Sequence, residues 1–279
     1  MLLHEPRGHS ATVGLIPVHS DIADFGAFFI SSYVYLDMCG HATIGYAKTL
    51  AASGQLPPQT AGSRFTLETP AGVVTAHLLW SNSGQLISVR IINVASRLGL
   101  RDLPLPFEGR TVSIDIAYGG IWYAIVDASV FGLHLNQDTV SRALQLGAAL
   151  KESINDHLKR TRSHDPDSVS SILFVEPVGP RSAKHLVVLA ANKFDRSPCG
   201  TGTSARLAQL HAREALACGQ NYEAQNILGV AFTARITEVI VDHGETSIVP
   251  EIVGNAHITA YATIVCERSD PLSTGFLCR

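Results

Sequence analysis

Apolar and polar residues alternate along much of the chain, and that alternation predicts strands. "RFTLETPAGVVTAHLLW" (64–80) reads as two strands around a Pro-Ala-Gly turn, and "LISVRIINVAS" adds another. "RTVSIDIAYGGIWYAIVDAS" (110–129) reads as two more around Tyr118-Gly119-Gly120, with "SSILFVEPV" and "KHLVVLAAN" as a later pair. "AFTARITEVIVD", "TSIVPEIVG" and "HITAYATIVCE" predict strands up to the end of the chain. Three segments switch to helical spacing. "HATIGYAKTLAASG" begins at His41. "QDTVSRALQLGAALKESINDHLKRT" begins near Gln137, with Asp138 or Thr139 as N-cap, and "GTSARLAQLHAREALACG" begins near Thr203. Many strands and few helices predict an α+β protein, not a doubly wound parallel sheet.

Two short stretches echo each other. "CGHATIG" (39–45) and "CGTGTSA" (199–205) share Cys-Gly-x-x-Thr-x-small, and each leads into a helical pattern. The copies lie more than half a chain apart. Two similar halves would place one cysteine at a helix start in each; a chance likeness of two glycine-rich turns is equally compatible with the spacing.

Composition narrows the picture. The 279 residues are 46 % hydrophobic and 16 % charged, with a net charge of −3. That length predicts one large or two medium domains. Nothing in it resembles a basic nucleic-acid footprint or a lysine-rich membrane face. No apolar run reaches the ~18–20 residues of a membrane helix, and "MLLHEPRGHS" has no signal-peptide apolar region. The expectation is a cytoplasmic protein without nucleic-acid or membrane partners.

The five cysteines are Cys39, Cys199, Cys218, Cys266 and Cys278. Their number is odd and no CxxC pair occurs, so each is read as a free thiol. Cys218, Cys266 and Cys278 are read as small buried apolar residues. Cys39 and Cys199 sit where chemistry is expected. A helix start offers unpaired N–H groups and partial positive charge, which lower a thiol's pKa and bind a carboxylate. One thiolate can remove an α-proton while a second thiol delivers one to the opposite face, which inverts the stereocentre. Asp195 can pair with a substrate nitrogen, and His41 can donate to a carboxylate or hydroxyl. If Cys39 and Cys199 are low-pKa and cleft-facing, one of them should be alkylated much faster than Cys218. A zinc site from Cys39, His41 and Cys199 fits by ligand type, but the glycine-rich setting does not call for it. "GTGT" lacks the lysine of a phosphate-binding P-loop.

"DMCGHATIG" (37–45) and "DRSPCGTGTSAR" (195–206) resemble the paired signatures of the proline racemase family, which includes racemases, hydroxyproline epimerases and trans-3-hydroxy-L-proline dehydratases. "EPRGH", "ADFGAFFI", "YGGIWYAIVDA", "PEIVGNAHIT" and "DPLSTGF" extend the likeness over the chain. The resemblance implies a diaminopimelate-epimerase-like fold. It has two α/β halves, each a curved sheet around a central helix, with the site in the cleft between them. The halves are placed at 1–104 plus 256–279, carrying Cys39, and 105–255, carrying Cys199. It also implies catalysis without cofactor or metal, and a homodimer. Cys39 and Cys199 match the two acid/bases; Gly40, His41, Gly200 and Thr201 match the substrate contacts; Asp195 matches the residue near the substrate nitrogen. The dehydratases carry Thr where Cys199 stands, so racemase or epimerase ranks first. A dehydratase, or a shortened imino-acid-binding member without turnover, is the alternative. Hydroxyproline epimerases often carry a His where "SVSSILFVEPV" has serines. Family members usually have several dozen residues before "EPRGH", including a strand. A chain starting there is expected to show an unpaired sheet edge and a partly open cleft. "HITAYAT" has Ala260 where the family often has Gly.

Overall fold

The structure is a computed structural model that describes residues 2–32, 34–58, 63–161 and 165–277. It divides into two compact units: residues 1–90 with 255–279, and residues 91–254. The α+β expectation holds. The first change of unit falls at Arg90–Ile91, where the expectation was 104, and the second at Gly254–Asn255, where it was 255–256.

In unit 1, β1 (Val13–Val18) pairs antiparallel with β2 (Phe25–Ser31), which also pairs with the short β3 (Tyr35–Leu36). After α1 (Gly40–Ala52) come β4 (Ser63–Thr69) and β5 (Gly72–Trp80). They form the hairpin that the Pro-Ala-Gly turn predicted, in register from Ser63↔Leu78 to Thr69↔Gly72. Gly72 has φ 127°, a value that β-carbon-bearing residues avoid. β6 (Leu86–Ile92) lies beside β5 and leads into the second unit. β1 stands at the end of the strand order, with Val18 exposed on it. α1 turns Thr43, Ile44, Ala47 and Leu50 inward. Phe25, Tyr46 and Phe65 meet edge to face, with centroids 5.5–6.0 Å apart.

The segment after Asn255 corrects an expectation. "HITAYATIVCE" has the alternation of a strand, yet no strand forms there among the described residues. Tyr261 and Val265 are exposed. Strand propensity reflects packing on a pleated neighbour, and this segment is tied to the unit at other points. The backbones of Glu5 and Phe276 exchange two 3.0 Å hydrogen bonds, and Arg7 reaches the Val265 carbonyl at 3.3 Å and Asp270 at 3.6 Å.

Unit 2 contains β7 (Arg97–Phe107), β8 (Arg110–Tyr118), β9 (Trp122–Asp127), α2 (Val140–Thr161), β10 (Ser171–Gly179) and β11 (Ser182–Ala190). β12 (Lys193–Asp195), α3 (Gly200–Ala212), β13 (Asn221–Gln225), β14 (Ala231–Asp242) and β15 (Glu245–Gly254) complete it. The strand order is β15-β14-β13-β11-β10-β9-β8-β7. The two ends curl toward each other: Ser96, just before β7, exchanges two 2.8 Å backbone bonds with Ile248 of β15.

α3 packs inside this curl, against β7, β8, β9, β14 and β15. A central helix has no solvent face, so its residues must be small or self-satisfied. Gly200 to Ala205 are all buried, and Ser204 returns its hydroxyl to the Gly200 carbonyl at 3.0 Å. The far end of α3 is held by Asp115, 3 % exposed. Arg213 donates to its two oxygens at 2.6 and 2.8 Å, and Gln209 donates at 2.6 Å. Burial alone would raise the Asp115 carboxyl; Arg213, the Asp102 N–H and Gln209 outweigh it and hold the carboxyl below its usual value.

α2 packs on β10 and β11, burying Ala143, Gly147, Leu150, Ile154 and Leu158 along one stripe. The capping residue differs from the expected Asp138 or Thr139. Asn136 is the cap of a 3-10 turn, Gln137–Thr139; its side chain accepts from the N–H groups of Asp138 and Thr139 while Thr139 bonds back. Gly147 lets α2 approach the sheet: a β-carbon there would lie 2.7 Å from Val188 Cβ. Gly147→Leu should therefore lower stability by about 2 kcal/mol or more, read by urea unfolding. Val188→Ala on that background should restore part of the loss; full additivity of the two changes would show that they do not meet.

Candidate active site

Both expected cysteines cap helices. Cys39 is the N-cap of α1, in extended backbone (φ −143°, ψ 102°), and its carbonyl accepts from the N–H and the hydroxyl of Thr43, both at 3.0 Å. It is 7 % exposed. Gly40 is buried behind it. His41, together with Leu15, Tyr46 and His257, lines a cavity of about 500 Å³ in unit 1.

Cys199 is the N-cap of α3 and is 4 % exposed. The helix begins at Gly200, three residues before the expected Thr203, because the Cys199 carbonyl already accepts from the Thr203 N–H at 2.8 Å. The Cys199 backbone is unusual: φ is +65° and ψ 101°. A non-glycine residue in that region costs ~1–3 kcal/mol and persists only when its surroundings over-determine it. Here they do. The Cys199 N–H donates to Ser197 Oγ at 3.0 Å, and the Ser197 N–H donates to Asp195 Oδ1 at 2.8 Å. Asn226 Nδ2 holds the Arg196 carbonyl at 2.7 Å. The Pro198 carbonyl receives the Thr203 hydroxyl and the His185 ring, each at 3.3 Å.

His185, on β11, is buried. A ring nitrogen facing a carbonyl must carry hydrogen, so Nδ1 is the donor and Nε2 accepts from the Tyr222 hydroxyl at 2.9 Å. Burial and then Arg206 push its pKa down to about 3, against the pull of the Pro198 bond.

The sulfur of Cys199 accepts from the Gly202 N–H at 3.3 Å. The Tyr123 hydroxyl lies 3.3 Å from it and 2.7 Å from the Thr201 hydroxyl. Thr201 thus turns its side chain onto Tyr123. Gly119, at the turn between β8 and β9, sits so close to α3 that a β-carbon there would fall 2.1 Å from the Thr201 carbonyl oxygen. Asn93 pins this approach, donating to the Gly119 carbonyl at 3.0 Å and to Ser204 at 2.9 Å.

Two thiol expectations change. The Cys199 thiol is pushed up, not down: burial comes first and Asp195 second, and the bonds from Tyr123, Gly202 and Thr201 do not offset them. Cys218 and Cys266 are exposed, not buried, whereas Cys39 and Cys199 are buried. Cys278 lies outside the described residues. Pattern reading missed Tyr123, His185, Tyr222, Asn93 and Asn226. None lies within either cysteine motif; among the stretches quoted for the family likeness, "YGGIWYAIVDA" contains Tyr123 and none contains the other four.

The geometry defines a class of protein: two α/β units, each starting one helix with a buried cysteine. The comparisons give that class a family. The proline racemase family model matches residues 1–277. A proline racemase from Acetoanaerobium sticklandii is 33 % identical over 99 % of this chain and 84 % of its own. A 4-hydroxyproline 2-epimerase from Streptosporangium roseum is 36 % identical over 99 % of this chain and 85 % of its own. Among solved structures, a hydroxyproline epimerase from Agrobacterium vitis with bound trans-4-OH-L-proline superposes with a TM-score of 0.88. It is 28 % identical, over 99 % of this chain and 82 % of that one. A PhzF-family protein from Bacillus anthracis shares the fold alone, at 18 % identity and a TM-score of 0.56 over 87 % of this chain and 81 % of that one. The chain belongs to the proline racemase family, with the diaminopimelate-epimerase-like fold that the resemblance implied, and is an isomerase of the racemase and epimerase class.

His185 generates a pH prediction. The folded chain keeps it neutral down to about pH 3, whereas the unfolded chain protonates it below about pH 6.5. Protons therefore favour unfolding: its contribution to stability is complete above about pH 6.5 and falls as pH drops toward 3. At pH 5 the loss is about 2 kcal/mol. Urea unfolding at pH 7 and pH 5 should show it, and His185→Gln should shrink the difference by that amount.

Proposed function

We propose that the protein inverts the α-carbon of proline or a hydroxyproline, using Cys39 and Cys199 as its two acid/bases. The observation that carries this reading is that each cysteine is the buried N-cap of a helix that opens with glycine. The names borne by the relatives supply the substrate class.

The steps follow from ordinary acid–base chemistry. One thiolate takes the α-proton as the carbanion forms, and the other thiol gives its proton to the opposite face. One sulfur ends protonated and the other deprotonated, so the pair is ready for the reverse reaction. Burial favours the protonated form of Cys199, which suits it to give its proton. Gly40, His41, Gly200 and Thr201 lie in the first turns of α1 and α3, where the helix dipole and backbone N–H groups favour a carboxylate. Thr201 serves through its backbone, its hydroxyl being engaged by Tyr123. Asp195 offers a carboxylate to the ring nitrogen.

Incubation in D2O with L-proline, and separately with trans-4-hydroxy-L-proline, should exchange the α-hydrogen and produce the opposite configuration, followed by NMR and chiral chromatography. Cys39→Ser and Cys199→Ser should each cut inversion by roughly 10²–10⁴-fold. A cyclic imine from trans-3-hydroxy-L-proline, with no inversion of the other two, would identify a dehydratase instead. Binding without exchange of any of the three would end the enzymatic reading.

A further inference from the structure

The largest fully buried side chain in the described structure is Tyr123, on β9. Three hydrogen-bonding groups meet at its end. Its hydroxyl lies 2.7 Å from Thr201 Oγ1 and 3.3 Å from Cys199 Sγ, and the same sulfur accepts from the Gly202 N–H at 3.3 Å. Thr201 Oγ1 is itself 3.7 Å from the sulfur. All are buried. A β-carbon at Gly202 would come 3.0 Å from Cys199 Sγ and 3.5 Å from Tyr123 Cε1, so a larger residue there would press on the sulfur.

We propose that Tyr123 is a positioning residue for Cys199: with Thr201 and the Gly202 N–H it forms a cradle that holds the sulfur in both protonation states. The hydrogens can be counted. With a thiolate, Thr201 O–H points to the Tyr123 oxygen, Tyr123 O–H points to the sulfur, and Gly202 N–H supplies a second donor. With a thiol, S–H can point to the Tyr123 oxygen while Tyr123 O–H turns to Thr201. Two hydroxyl rotations convert one arrangement to the other, and no proton leaves either residue. A core tyrosine needing only one partner would be satisfied by Thr201 alone. The contact with the sulfur adds a donor exactly where negative charge forms, and donors to an anion are the stronger hydrogen bonds. The charged group near this sulfur is Asp195, which works against the thiolate and increases its need for donors.

The inference rests on the reading of Cys199 as an acid/base, but its test does not depend on turnover. In protein labelled with ¹³Cβ-cysteine, the Cys199 signal, assigned by its absence in Cys199→Ser, reports thiol ionisation directly even when buried. Tyr123→Phe should raise the Cys199 midpoint by about one unit or more and leave the Cys39 midpoint in place. The same variant should move only one limb of the pH profile of kcat/KM. Incorporating 3,5-difluorotyrosine at position 123, which keeps the ring and makes a more acidic donor, should lower the Cys199 midpoint, so a poorly folding Tyr123→Phe does not end the test. A Cys199 midpoint unchanged in whichever of these proteins folds, or no titration of Cys199 in any of them, would overturn the proposal. Full inversion activity in Cys199→Ser would instead overturn the two-cysteine reading, with the midpoint comparison still standing.

Discussion

A helix start buried inside a curled sheet is the constraint on which unit 2 depends. The first N–H groups of a helix have no partner within it, and here they cannot reach bulk water as a surface helix would. Cys199 answers part of that need with its own sulfur, taking the Gly202 N–H. It does so from a left-handed backbone that its neighbours enforce through Ser197, Asp195, Thr203 and His185. Sulfur position, backbone strain and helix burial are therefore one problem with one solution.

The same burial sets the chemistry. A thiol at an exposed helix start ionises easily; a thiol sealed beneath Tyr123 and near Asp195 does not. Cys39 starts its helix differently, in extended backbone and with no side-chain cap bond. The two motifs match in sequence yet present their sulfurs in different surroundings. Such an inequality is compatible with a two-base reaction, because the reaction needs one partner of the pair protonated at each turn.

His185 shows how far the support for the cysteine extends. Its ring joins β11 to the Pro198 carbonyl on one side and to Tyr222 of β13 on the other. Because Nε2 can accept only while the ring is neutral, protonation would displace the Tyr222 bond and charge a buried site. At the other end of α3, Asp115 and Arg213 fix the helix to β8. A helix pinned at both ends holds its N-terminus in register with the sheet, which is what a precisely placed sulfur requires.

Much of this was legible from residue order alone. Alternation marked both hairpins around their turns, helical spacing marked the three helices, and Cys-Gly before each of two helices marked the candidate chemistry. These are local signals, carried by residues within a few positions of one another. Other features depended on partners far away in sequence. The strand pattern at 257–267 found no strand neighbour among the described residues, and Cys218 and Cys266 came out exposed. The ionisation of Cys199 was the largest of these. Sequence placed the thiol at a helix start, where dipole and N–H groups lower its pKa; tertiary structure then buried it beneath a tyrosine 76 residues away, and desolvation outweighed the helix. Periodicity and motif spacing determine which residues are brought to an element, whereas the dielectric and hydrogen bonds around them are decided by what the fold packs on top.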